Sequence, residues 1–393
     1  MASEAMQQLA GHSISAGRIR RQVEQVGQAR TAERDQQVEK LRNTALPNRR
    51  IAREHESGPD VAVVMMDGGR YQRRDHFKKR GAARRAGSDA QDASSHWRES
   101  KVGCLLSMSS DVHADDPCPQ IPDCFVHASA VQELAKTSEK AASNETLPRD
   151  ADVHVASTGG TDQVSDDYQP PRLIARDIVA SGENAQAFGW HLQERADRLN
   201  FNAASRQAFV ADGAKTNWRI RQQHFPRAVP IADLIHALAY AWSASQIDEG
   251  KATYQKWAQL IWQGDLAEVI GHLETLQQVH GVPPDDNQSD PRHHVARALT
   301  YFRNNASNMN YPYYRQHGLP ITSAHIESSV KQINRRIKGT EKFWTRPTSE
   351  SVLQLRSDYL SDSQPMTRFW IRYFANQTGS NHYNTASKNL QSA

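Results

Sequence analysis

Two aspartates close apolar runs in this sequence: Asp67 in VVMMDGG and Asp212 in AFVADGA. A carboxylate that leaves a buried strand can meet others at one edge of a sheet. A third acid, Glu327, stands in TSAHIESSVKQINRRIKG, beside the apolar stripe Ile326, Val330, Ile333 and Ile337. Three carboxylates suit hard divalent cations, which prefer oxygen ligands. Two such ions, about 3.5–4 Å apart, clamp the attacking and leaving oxygens of a phosphodiester displacement. Asp67, Asp212 and Glu327 are therefore candidate catalytic and metal residues, with two Mg²⁺ or Mn²⁺ ions as the expected cofactors. Each acid also has a plainer reading. Asp-Gly is a common turn, and Glu327 with Lys331 is an exposed helical pair worth about 0.3–0.5 kcal/mol.

The elements that must position these acids follow from the hydrophobic pattern. Val61–Met66 is a continuous apolar run, which predicts a buried strand, then a turn at Asp67-Gly68-Gly69 and a second strand near Tyr71. HWRESKVGCLLSM predicts a strand centred on Val102–Leu106, and RQAFVADGA a short strand ending at Asp212. AVPIADLIHALAYAW reads as a strand entering a helix at Asp233. Helical spacing marks Gly182–Leu199, then Leu266, Val269, Ile270 and Leu273, and then Val295, Leu299 and Phe302. Thr322–Trp344 begins as a well-capped helix that carries Glu327. Near the start, Leu9–Gln28 reads as two short helices around Gly11, with Ser13 or Ser15 as N-cap, which fits a helix-turn-helix or an ordinary surface helix.

Charge placement points the same way as the acids. Arg70, Arg73, Arg74, Lys78, Lys79, Arg80, Arg84 and Arg85 crowd behind Asp67, and Lys331, Arg335, Arg336, Lys338 and Lys342 follow Glu327. Arg70, Arg73, Arg74, Lys331, Arg335, Lys338 and Lys342 are the candidate DNA contacts, as cations flanking an acidic site suit a phosphate backbone. A charge run is also the common form of a solvated face. The net charge is +4, which allows an anionic partner without requiring one.

Mean hydropathy is −0.74, and only 38% of residues are hydrophobic, so packed cores should alternate with solvated stretches. No apolar run reaches the roughly 18–20 residues of a membrane span, and MASEAMQQLAGHS has no apolar signal core. The expectation is a cytoplasmic protein without a membrane partner. Three cysteines give no disulfide framework, and His113, Cys118 and Cys124 match no zinc spacing. No GxxxxGK loop is present, so ATP use is not implied. Trp242, Trp257 and Trp262 read as core.

Several blocks together resemble bacterial insertion-sequence transposases of the Kra type, near the Mutator-like group. They are VVMMDGGR, HWRESKVG, LLSMSSDVHADDP, AFVADGAKTNW, FPRAVPIADLIHALAY, YFRNN, GLPITSAHIESSVKQINRRIKGTEKFW and QLRSDYL, from about Val61 to Leu360. The resemblance implies an α/β fold, an RNase H-like mixed sheet with flanking helices, interrupted by an all-helical insertion domain and preceded by a helical segment. It implies a DDE transposase that cuts transposon ends and joins the freed 3′-hydroxyl to target DNA, acting as a homo-oligomer near the bacterial nucleoid. Mutator-like enzymes carry an Asp or Cys separated by two residues from a His, and Asp233-Leu234-Ile235-His236 matches. The implied role of His236 is to sit near the scissile phosphate; read from the residues alone, Asp233 and His236 could equally cap and fill the start of a helix.

The expected divisions are 1–55 helical, 56–127 and 173–242 as the first two parts of the core, 128–172 a flexible insertion, 243–316 the helical insertion, 317–362 the last part of the core and 363–393 a tail. Relatives carry a Cys-rich, zinc-ribbon-like region before the helix-turn-helix, and this chain has none. It is therefore expected to be N-terminally truncated. A nuclease of the same fold, and a non-catalytic DNA-binding remnant, are the two rival expectations.

Overall fold

The computed structural model describes residues 14–45, 57–74, 96–126, 131, 169–284, 290–339 and 342–375. The basic residues Lys78–Arg85, the first expected helix at Leu9 and nearly all of the 128–172 insertion lie outside them. The protein is α/β, built on a six-stranded mixed sheet in the order β3-β2-β1-β4-β5, with β6 beside the end of β1. The strands are β1 (Val61–Arg73), β2 (Trp97–Ser109), β3 (Arg172–Ser181), β4 (Arg206–Ala211), β5 (Val229–Ala232) and β6 (Phe343–Trp344). β2 runs antiparallel to β1 and to β3, whereas β4 is parallel to β1 and β5 is parallel to β4.

The period of two in a strand divides β1 between two cores. Val61, Val63 and Met65 face one side of the sheet, and Ala62, Val64 and Met66 face the other. A strand buried on both faces must read as a continuous apolar run, as Val61–Met66 does. On the second side pack α2 (Ala185–Arg198), through Phe188, Leu192 and Ala196, and α3 (Lys215–His224), through Ile220.

On the first side lie α4 (Leu234–Ser245), α5 (Lys251–Gln263), α6 (Leu266–His280), α7 (Pro291–Asn305), the short α8 (Tyr311–Gln316), α9 (Ala324–Ile337) and α10 (Arg346–Tyr359). Trp257 and Trp262 are buried in this core, and Trp242 packs against it edge-on to Tyr254, as a core role requires. Arg315 is fully buried there; it pairs with Asp116 at 2.5 Å and lies 4.0 Å from the Trp262 ring centroid. Ile326, Val330, Ile333 and Ile337 bind α9 to the sheet. Burying one such side chain contributes about 1.5–3 kcal/mol, so the four together hold the helix that bears Glu327 firmly.

The turn expected at Asp67 is absent: β1 continues through it to Arg73 as one strand of 13 residues. Gly68 and Gly69 are extended and pair with Lys101 and Ser100. Their role is clearance. A β-carbon at Gly69 would lie 2.4 Å from Asn334 Oδ1, so glycine lets α9 approach the strand.

Residues Ala16–Asn43 form a single helix, α1, whose N-cap Ser15 accepts from Arg18 N. The second of the two short helices expected around Gly11 is therefore the beginning of a long one. Its inner face meets α10. Arg30 Nε lies 2.9 Å from Asp358 Oδ2, and Arg34 Nη1 lies 3.3 Å from Glu350 Oε2. Arg195 joins the same network through Asp358, at 3.4 Å, and Asp177, at 2.7 Å. These charges are buried and paired with one another. Within the tail expected after residue 362, Pro365–Ala375 form α11, packed inward through Phe369. No helix among the described residues is long and apolar enough to cross a membrane.

Candidate active site

Sheet register brings the first two acids together. Met66 pairs with Ala211 across β1 and β4, and Ala211 pairs with Ala232 across β4 and β5. The next residue on each strand path is Asp67, Asp212 and Asp233. Asp67, within β1, thus stands in register beside Asp212 and Asp233, which follow β4 and β5, and adjacent strands stand about 4.8 Å apart. A ladder bond from Asp233 N to Ala211 O, 2.9 Å, extends the register to this row. By alternation Asp67 belongs to the face of Val63 and Met65, the face covered by α4 and α9.

Asp212 leaves β4 into a tight turn. Its Oδ1 accepts from Ala214 N and from Asn217 Nδ2, both at 2.9 Å, and Gly213 takes φ +95°. The turn thereby starts α3 and holds the carboxylate half-buried at the sheet edge. One oxygen of Asp67 accepts from Gly68 N at 2.6 Å.

Asp233 is fully buried and ties three elements. It caps α4 by accepting from Ile235 N and His236 N, at 3.4 and 3.3 Å. Its Oδ2 lies 2.5 Å from His236 Nδ1. Its Oδ1 accepts from Ser323 N at 2.8 Å, at the N-cap of α9. Leu234 N adds a bond to Ile321 O. The Ser323 side chain makes no capping bond of its own, so the well-capped start expected for the Glu327 helix is supplied instead by Asp233. The capping role read for Asp233 and its pairing with His236 coexist in one side chain.

Electrostatics record the convergence. Burial pushes the Asp67 carboxyl up to about 6, and the charges of Asp212 and Asp233 add to that, while the Gly68 amide and His236 oppose it. Burial also raises Glu327, with Asp233 and Asp67 adding and His236 and Lys331 opposing. Burial opposes a charge on His236. The bond and charge of Asp233, with Asp212 and Asp67, overcome that and push the imidazole up to about 9. The same bond holds Asp233 below the usual carboxylate range in spite of burial. Asp67 and His236 therefore feel Asp212, Asp233 and each other, Glu327 feels Asp67, Asp233 and His236, and His236 carries a proton at neutral pH.

Of the candidate cationic contacts, Arg70, Arg74, Lys331, Arg335 and Lys342 are exposed, and Arg73 and Lys338 are half-buried. Arg70, Arg73 and Arg74 end β1 beyond Asp67. The others lie on α9 or lead into β6, which pairs with Gln72 and Arg73. Both basic groups thus flank the strand that carries Asp67. Sequence reasoning missed Asn217, which steadies Asp212, and Asn334, which faces Gly69. Position gave a signal for both: Asn217 stands one turn into the helix after Asp212, and Asn334 two turns beyond Glu327.

Among the described residues no group of three or more His, Cys, Asp or Glu side chains is arranged to hold a metal ion. The donor chemistry nonetheless fits one. Burial raises Asp67 and Glu327, with smaller additions from neighbouring acids, a cost that a hard cation beside them would relieve. The three cysteines are free thiols. Compared with known proteins, the chain matches no protein-family model and no curated sequence.

Proposed function

We propose that this chain is a DDE-type DNA transposase with an RNase H-like core, cutting DNA at transposon ends and joining the freed 3′-hydroxyl to a target. The observation that carries the reading is the row Asp67, Asp212 and Asp233, with Glu327 coupled to it from α9. The sheet is compatible with it: a mixed sheet with flanking helices, in the order β3-β2-β1-β4-β5 with β2 reversed. The stretch expected as an insertion is helical, carrying α5–α8, which pack on the first side of the sheet.

Asp67, Asp212 and Glu327 would hold two Mg²⁺ or Mn²⁺ ions. When bound, such ions activate the attacking oxygen and stabilise the leaving 3′-oxyanion. The protein's own groups do the rest. Asp233 keeps His236 protonated and fixes the start of α9, and so the placement of Glu327. His236 brings a positive charge to the phosphate side of the acids. Arg70, Arg73, Arg74, Lys331, Arg335, Lys338 and Lys342 would hold the backbone of the strand being cut.

The test uses the DNA that flanks the coding sequence, with Mg²⁺ or Mn²⁺ and with EDTA. Expected are metal-dependent cuts at the element's ends, and joining of a pre-cut end bearing a 3′-hydroxyl to plasmid DNA. Cutting without joining would make the chain a nuclease. Binding with neither activity would make it a non-catalytic remnant.

A further inference from the structure

Two opposing contacts set how close α9 stands to β1. Ile326, Val330, Ile333 and Ile337 draw the helix onto the sheet. Asn334, on the same helix, is the stop. Its side chain lies directly on the backbone of Gly69: a β-carbon there would meet Asn334 Oδ1 at 2.4 Å, Nδ2 at 2.8 Å and Cγ at 3.0 Å. Turning the amide plane cannot clear such a contact, because Cγ lies on the axis of the turn. Asn334 Oδ1 is buried and has no hydrogen-bond partner among the described residues. Ser100, opposite Gly69 in the ladder, is fully buried and its hydroxyl is equally unpartnered. An unpartnered buried polar atom costs stability, so what the amide supplies here is volume against bare backbone.

This stop lies in line with the acids. Gly69 shares the face of β1 that carries Asp67, two residues and about 7 Å away along the strand. On α9, Glu327 lies between two fixed points. Four residues before it, Ser323 N is held by Asp233 at 2.8 Å. Seven residues after it, about 10 Å on, Asn334 rests on Gly69. The helix follows β1 away from the acids: Trp344 Nε1 donates to Ile337 O at 2.8 Å, and β6 pairs with Gln72 and Arg73. With its start pinned, α9 tilts about Ser323. A rise at Asn334 therefore reaches Glu327 reduced to about a third.

We propose that Asn334, seated on Gly69, is a positioning residue that sets the separation of Glu327 from Asp67 and so the fit of the cation site. The inference rests on Asp67, Asp212 and Glu327 being that site, and adds the contact that spaces them.

The test is Mn²⁺ affinity of the full chain by calorimetry, with thermal unfolding alongside. Gly69→Ala should weaken binding about tenfold, the lower end for a group that orients a metal ligand. Asn334→Ala should weaken it less. The double variant G69A/N334A, in which the added methyl fills the space the amide leaves, should bind more tightly than G69A and within about twofold of wild type, a non-additivity that marks direct contact. In an E327Q background G69A should change affinity by less than about twofold, because its effect runs through Glu327. Gly103→Ala controls for damage to the fold. Its β-carbon would meet Leu192 Cδ2 at 2.3 Å, in the core on the other side of the sheet, so Tm should fall while affinity stays within about twofold. If G69A alone does not fold, N334A must restore both folding and affinity. If the wild type binds Mn²⁺ while G69A binds as tightly, or while the double variant is no better than G69A, the positioning role falls and the cation site stands. An equal loss from G69A in the E327Q background also overturns it, since Gly69 would then act on the fold alone. If the wild type binds no Mn²⁺, both fall together.

Discussion

Asp67→Asn is expected to lower metal-dependent DNA cleavage by at least about a thousandfold, the loss of one strong electrostatic stabiliser of developing charge, while making the metal-free protein more stable. The second effect follows from burial of the carboxylate. The Asp67 carboxyl sits at about 6, against an ordinary 3.8. Its folded value is raised, so folding binds its proton more tightly, and that contribution is lost as pH climbs through about 6. Above that pH the charge costs the fold on the order of 2 kcal/mol, after discounting for partial exposure. Asparagine keeps the shape and the acceptor for Gly68 N and removes the charge. In EDTA at pH 7.5, D67N should unfold about 2–6 °C above wild type, and the gap should close toward pH 4. Mg²⁺ should stabilise the wild type and leave D67N nearly unmoved. A D67N protein that cuts at the wild-type rate would contradict the assignment.

Asp233→Ala is expected to have the largest effect on stability, about 3–5 kcal/mol. The side chain is fully buried and answers four groups: Ile235 N, His236 N, His236 Nδ1 and Ser323 N. Alanine would leave a half-buried imidazole without its counter-charge and two helix starts uncapped. The pH dependence separates these losses. His236 is raised to about 9 in the folded protein, so its share of stability is complete below about 6.5 and disappears as pH rises through about 9. The deficit of D233A against wild type, read by denaturant unfolding, should therefore shrink between pH 7 and 10. Asp233→Asn keeps an acceptor for Ser323 N and should fold with a smaller loss, yet cleave poorly because His236 no longer holds its proton. A D233A protein as stable as wild type would mean that this clamp does not hold α9.

The strands bearing Asp67, Asp212 and Asp233 were legible because each is a short apolar run buried on at least one face and ending at an acid. Register then does what no single motif can: a step of one residue beyond paired alanines aligns the acids. The Glu327 helix was legible through its stripe, but its cap was not, because Asp233 lies far from Ser323 in sequence and reaches it only through folding. The turn at Asp67 was misread because Asp-Gly-Gly signals a turn locally, whereas here the glycines clear space for Asn334.

β3 went unrecognised as a strand. Arg176 and Asp177 interrupt its apolar pattern, and only the structure shows that Asp177 is buried against Arg195 and Ser363. The reading of Leu9–Gln28 as two short helices or a surface helix missed the packed length of α1 for the same reason. Its buried face carries Arg30 and Arg34, residues that look solvated until their partners on α10 are known.

Whether Asp67, Asp212 and Glu327 act as one cation site is read from Mn²⁺ binding by calorimetry. The wild type should bind about two Mn²⁺ ions. D67N, D212N and E327Q should each weaken binding by at least about tenfold, with Tm at or above the wild-type value in EDTA. Mn²⁺ bound equally well by wild type and E327Q would contradict it, leaving Glu327 a helix-surface acid and the aspartate row without its third ligand.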